Sequence, residues 1–274
     1  MKSDFELVIQ RRKGWQAVDL REIYLYRELL GFLMWRDIKI RYRQTMLGGL
    51  WAILQPLTAM IIFTFIFHKL AGVKSDGPPY PLFAFAGVAA WTFFSTAVGQ
   101  ASNSLISNQH LVSKVYFPRT FIPIGAIGAF LMDLALTLLL LGVLMIYYHW
   151  PVTLAVLELP LFVAGTFLAS AGLGMAFSAV NVVYRDLKYA VPFFLAMGIY
   201  VTPVIYPSRY IPAKYHVLLA LNPMTGMVEG FRHSLLGTAV SWPLIGESFL
   251  VSIILFLAGL MIFRRMETLF ADVI

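Results

Sequence analysis

Polar residues in this chain gather into clusters, and the stretches between the clusters are almost free of them. Six apolar runs, at residues 49–68, 81–101, 121–148, 153–181, 189–206 and 248–263, approach the roughly 20 residues that cover about 30 Å of hydrocarbon at 1.5 Å per residue. The third carries one charge, Asp133, and the fourth has Glu158 near its start. The pattern predicts an all-α polytopic membrane protein with six transmembrane helices and both ends on one side. Ahead of the first run, Leu20 to Gln44 reads as a helix of imperfect amphipathicity. Leu25, Tyr26, Leu29, Leu30, Phe32 and Leu33 form one broad face, which Arg36 and Asp37 break. Between the second and third runs, Leu111, Val112, Val115 and Tyr116 share a helical face, Lys114 points elsewhere and Pro118 ends the turn. Between the fifth and sixth runs lie two short apolar segments, the second opened by Asn222-Pro223 and closed by Gly237. They are too short to span and are expected to dip into the outer leaflet and return. The resulting boundaries are 1–48 for an N-terminal segment with an interface helix, 49–263 for the six-span domain and 264–274 for a tail.

Charge fixes the direction of that topology. Of the 21 Lys and Arg, sixteen fall in segments on the side of the two ends, and only Lys69, Lys74, Arg209, Lys214 and Arg232 fall on the other. The positive-inside rule then makes both termini cytoplasmic. Trp35 and Trp51 at one boundary and Trp150 and Trp242 at the other fit interfacial belts, whereas Trp91 falls mid-span. With 59% hydrophobic and 13% charged residues, against about 25% charged in soluble domains, the net charge of +7 belongs to membrane topology and not to nucleic acid. The polar segment ahead of the first run predicts no cleavable signal peptide. Without cysteine, the chain has no disulfide framework and no thiolate metal site.

Several residues stand out against this background. Asp133 has no opposite charge in its own run, and a carboxylate at that depth costs a few kcal/mol unless it faces water, finds a partner or stays protonated. It either lines a pathway, or bonds another helix beside one, or serves a hydrogen-bonded structural role. Glu158 is about one turn from the outer boundary and can snorkel. Glu229 and Arg232, three residues apart, read as an ion pair. The block Arg36, Lys39, Arg41 and Arg43 suits an anionic inner leaflet, where each cation contributes roughly 1 kcal/mol. Among mid-span aromatics, Trp91, Phe94 and Tyr200 are candidates to line a channel, with ordinary packing and lipid exposure as the alternative. Small residues at four-residue spacing, Gly165 with Ala169 and Ser170 with Gly174, allow close helix approach, either within one subunit or at a dimer seam. No G-x-x-x-x-G-K occurs, so this sequence carries no phosphate-cradling loop. There is no convincing repeat of the kind secondary transporters show, and Asp76 has no acidic neighbour with which to build a transferase-like metal site.

Five stretches, in order, carry a family resemblance: "LGGLWAILQPL" (from Leu47), "LVSKVYFPRTFIP" (from Leu111), "YRDLKYAVPF" (from Tyr184), "VTPVIYP" (from Val201) and "LNPMTGMVEGFRHSLLG" (from Leu221). Each is weak alone. Together they resemble the permease subunits of ABC-2 type exporters of lipid-linked polysaccharide such as O-antigen. The resemblance implies a homodimer and a separate ATPase subunit that binds ATP and Mg, with no cofactor on this chain. It assigns docking on that ATPase to His110, Leu111, Lys114, Tyr116 and Arg119. The helix of Arg36, Lys39, Arg41 and Arg43 becomes an interface helix, and Asn222, Pro223, Glu229 and Arg232 join an outer gate. Expected partners are that ATPase, a second copy, membrane lipids and a lipid-linked glycan in a bacterial inner membrane. An ABC-2 exporter of a small molecule is the nearest rival.

Overall fold

A computed structural model describes residues 24, 26–43, 49–75, 77–114 and 117–270. Most of the N-terminal segment, Tyr116 of the docking stretch, Asp76 and the last residues of the tail lie outside them. Among the described residues every regular element is helical. The order is α1 (Arg27–Arg43), α2 (Leu50–Phe63, extended by π-helical turns Thr64–Leu70), α3 (Tyr80–Ser107), α4 (Gln109–Lys114), α5 (Phe121–Tyr147) and α6 (Leu159–Val183, led in by a 3₁₀ turn, Leu154–Glu158). Then come α7 (Leu187–Val201), α8 (His216–Leu221), α9 (Pro223–Leu236) and α10 (Trp242–Met266).

Five of these stretches, Leu50–Leu70, Tyr80–Ser107, Phe121–Tyr147, Leu154–Val183 and Trp242–Leu269, are long and apolar enough to cross a membrane. The expected fifth run differs. Its helix α7 has 15 residues, about 22 Å at 1.5 Å each, and ends at Val201 instead of Tyr206. The cause is Pro203, which pushes the preceding residue out of the helical region: Thr202 sits at φ −86°, ψ 140°. The chain then runs through a non-helical turn in which Thr202, Pro203, Val204, Ile205 and Pro207 are all buried. In the sixth run, by contrast, helix begins at Trp242, ahead of the apolar stretch that marks it.

Helix α3 is the axis of the bundle. It is buried along most of its length and packs against α2, α5, α6, α7 and α9, whereas α2 and α7 stand at the edge with broad apolar faces uncovered. The tightest seam joins α6 to α10, where a Cβ on Gly259 would stand 1.9 Å from the carbonyl oxygen of Gly172. Backbones touch there because neither residue has a side chain. The small residues singled out in the sequence pack within the protomer: Gly165 meets Met227 and Phe249, and Gly174 meets Ala101 and Ile127. Replacing Gly259 by Ala should therefore cost about 1–3 kcal/mol or more by overpacking. Gly246→Ala, on the same helix with nothing within 4 Å, should be harmless. The fraction of each variant recovered as a monodisperse species in detergent checks this, and equal recovery would refute it.

Candidate functional site

Three polar stations interrupt the apolar bundle. At the α3–α5 connection, α3 stops at Asn108, whose side-chain amide turns back to donate to the Ser104 carbonyl at 2.8 Å. The short helix α4 follows, with Val112 buried, Leu111 half-buried, and His110, Ser113 and Lys114 exposed. His110 and Lys114 are thus presented outward. Arg119 is not presented in this way: it donates to the Glu267 carbonyl at 3.0 Å, tying the start of α5 to the end of α10.

The second station lies where α1 meets α5. Leu33 and Met34 pack onto Gly125 and Gly128, and eight residues further along both helices Arg41 reaches Asp133. Equal offsets on the two helices mean that they run alongside each other in the same sense for about 12 Å. Arg41 Nη1 donates to Asp133 Oδ2 at 2.7 Å and its guanidinium lies 3.5 Å from the Phe130 ring centroid. The Tyr42 hydroxyl donates to the other carboxylate oxygen, Oδ1. Burial, and then the hydrogen bond to Asp133, push the Tyr42 phenol up, so it remains a donor. Asp133 therefore has its partners on another helix. This revises the reading of the basic block as four lipid-facing cations. Arg41 is bound to Asp133 and Arg36 to its neighbour Asp37 at 2.8 Å, while Lys39 and Arg43 are exposed beside Phe32 and Trp35. A cavity of about 200 Å³ opens beside the pair, between α1, α2, α3 and α5, lined in part by Trp51, Gln55, Thr92 and Phe93.

The third station holds the turn after α7. Buried carbonyls in a non-helical segment need donors wherever water is excluded. Arg232 of α9, 2% exposed, supplies three: Nη1 to Pro203 O at 2.8 Å, Nη2 to Val204 O, and Nε to Phe83 O of α3 at 3.2 Å. Its guanidinium stacks 3.5 Å from the Phe83 ring centroid. Tyr80 donates to Ile205 O at 2.7 Å, and the Asn222 amide donates to Thr202 Oγ1 at 2.9 Å. The Asn222 oxygen meanwhile caps α9 by accepting from Met224 N at 3.0 Å, with Pro223 at the first helical position and Gly237 closing the helix at φ 68°. Glu229 is half-buried on the same helix. Gly87 makes room for the whole arrangement, since a Cβ there would sit 2.7 Å from both Arg232 Nη2 and Val204 O. Glu158 does not simply reach outward; its Oε2 lies 3.4 Å from His233 Nε2.

Of the aromatic candidates, only Tyr200 is exposed. Trp91 and Phe94 are 7% and 4% exposed with ring centroids 5.4 Å apart, and Trp91 packs on Gly198 of α7. Both are core residues here, Trp91 beneath α7 and Phe94 against Trp91. The sequence reading missed Tyr42, Gln55 and Tyr80. Pro203 was the available signal for the broken helix and hence for Tyr80, whereas Tyr42 bore none beyond its place beside Arg41.

These features meet a family pattern. Residues 28–236 match the ABC-2 type transporter family, and the chain belongs to it. Among its relatives, the O-antigen export system permease protein RfbA of Myxococcus xanthus is 34% identical over 216 residues, 78% of this chain and 82% of that protein. A Klebsiella pneumoniae protein of the same description is 29% identical over 252 residues, covering 92% and 96%. The polysialic acid transport protein KpsM of Escherichia coli is 25% identical over 213 residues, covering 76% and 81%. The chain is thus a multi-pass ABC-2 permease related to polysaccharide exporters.

Proposed function

We propose that this chain is the membrane subunit of an ATP-driven exporter that moves lipid-linked polysaccharide, of the O-antigen or capsule type, across a bacterial inner membrane. It works as a homodimer with a separate ATPase subunit that holds ATP and Mg. Both termini are cytoplasmic, α7 with its following turn makes the sixth crossing, and α1 lies at the inner membrane surface. The observation that carries the reading is the pairing of family membership with relatives that match along 78% and 92% of the chain and are described as O-antigen export permeases. The exposed His110 and Lys114 on α4 support docking, and the sequence holds no phosphate-binding loop of its own. The uncovered apolar faces of α2 and α7 suit a second copy, and Tyr200 on α7 suits the pathway between copies.

Deleting the chain in its host and following labelled glycan on both sides of the membrane tests the export step. Surface polymer should fall while lipid-linked polymer accumulates inside. Unchanged surface polymer would remove the substrate assignment and favour a small-molecule cargo. For docking, charge reversal at His110 and Lys114 should reduce co-purification of the ATPase at least tenfold with membrane insertion intact. Arg119 is left untouched because it holds α10.

A further inference from the structure

Beside Arg41 and Asp133 lies a cavity that no helix fills and that several polar side chains line. We infer that it is a binding site for a neutral, polyhydroxylated ring: a single sugar residue of the transported glycan, held inside one protomer. The inference rests on the export reading for the identity of the sugar but on the cavity's own chemistry for its class.

Three observations lead there. First, Gln55 of α2 and Thr92 of α3 both line the cavity, and among the described residues neither the Gln55 amide nor the Thr92 hydroxyl makes a hydrogen bond. An amide within an apolar spanning helix carries a desolvation cost unless something polar meets it. Gln55 offers two donors and an acceptor and Thr92 one of each, which is the pattern that sugar hydroxyls complement. Second, the charges nearly cancel. Asp133 and Arg41 form a contact pair at 2.7 Å, and the guanidinium is further held on Phe130. A phosphate would meet the Asp133 carboxylate as well as the cation, so an anion gains little net attraction. A neutral ligand pays no such penalty and can hydrogen-bond to both partners. Third, the walls between the polar groups are aromatic: Trp51 and Phe93 face the same space. Ring faces beside convergent hydrogen-bonding groups make an amphipathic pocket, apolar toward the C–H face of a pyranose and polar toward its edge. At about 200 Å³, the space holds a single ring plus little else, on the order of six waters' worth of volume.

The test uses the full chain in nanodiscs, titrated with methyl glycosides of glucose, galactose, mannose and rhamnose and observed by saturation-transfer NMR, with cyclohexanol as the ring control. At least one glycoside should receive saturation that cyclohexanol does not. The double change Gln55→Leu with Thr92→Val should cut that transfer at least threefold, and equimolar inorganic phosphate should leave it unchanged. Silence from every glycoside, equal transfer in the double variant, or displacement by phosphate would each overturn the site, the last in favour of an anion. If the double variant is not recovered folded, Gln55→Ala on the exposed side of α2 repeats the comparison without entering the core. The host deletion keeps the two readings apart. Surface polymer persisting in the deletion strain fails the export reading and leaves a sugar site standing, whereas glycoside silence fails the site and leaves export standing.

Discussion

Arg232→Ala should lower the thermal midpoint of the purified chain by roughly 6–12 °C, at about 2–4 °C per kcal/mol for a chain of similar size. The reasoning starts from the three carbonyls that Arg232 serves, at Phe83, Pro203 and Val204. A buried acceptor stripped of its donor costs about 1–3 kcal/mol, so three cost at least about 3 kcal/mol even when water partly enters the gap. Arg232→Lys keeps the charge but not the planar fork, and one ammonium cannot meet acceptors on both α3 and the turn after α7; its midpoint should fall between the two. Gly87→Ala supplies an independent check. It leaves Arg232 in place yet puts a methyl 2.7 Å from its Nη2 and from Val204 O, so it should reproduce most of the loss. A shift below about 2 °C for Arg232→Ala would mean that the turn finds its donors elsewhere. If this turn is part of an outer gate, all three variants should also lose export, in the same order as their loss of stability.

How much of this was readable in advance depends on which atoms do the work. The spans follow from run length and hydropathy, and five of six appeared where the runs lie, because a helix satisfies all of its backbone groups within its own segment of the chain. The limits of α9 were equally readable, since Asn222, Pro223 and Gly237 are local signals acting on their own neighbours. Arg232 shows the opposite case. Its charge drew attention to it and suggested an acidic partner three residues away, but the three backbone carbonyls it serves have no signature in sequence and could not be foreseen. Pro203 did announce the broken helix, yet apolar continuity through Val204 and Ile205 concealed it, because a buried turn and a buried helix end have the same composition. Trp91 failed for a related reason. Hydropathy says that a ring is in the membrane but not which neighbour covers it, and Gly198, the residue that lets it pack, sits on a helix 107 positions away. The α6–α10 contact at Gly172 and Gly259 was invisible because it is set by two residues chosen for having no side chain.

The pairing of Arg41 with Asp133 decides whether α1 is a mechanical part of the bundle or a helix loosely attached to it, and a double-mutant cycle distinguishes the two. Breaking a buried ion pair costs about 3–5 kcal/mol, but these side chains are 28% and 23% exposed and a polar cavity adjoins them. A smaller loss of about 1–3 kcal/mol is expected for Asp133→Ala and for Arg41→Ala taken singly. Removing both should cost less than the sum by at least about 1 kcal/mol, because the second change strikes an interaction already lost. Asp133→Ala should be the more damaging single change, since it also strips Tyr42 of its acceptor. Limited proteolysis in nanodiscs supplies the structural readout: α1 should be cut faster in both single variants than in the parent chain. Additive effects with unchanged protection would leave α1 held only by Leu33 and Met34 against Gly125 and Gly128 and by lipid contact through Phe32 and Trp35. Coupled effects would mean that any displacement of α1 passes through a charged contact into α5 and hence into the wall of the cavity.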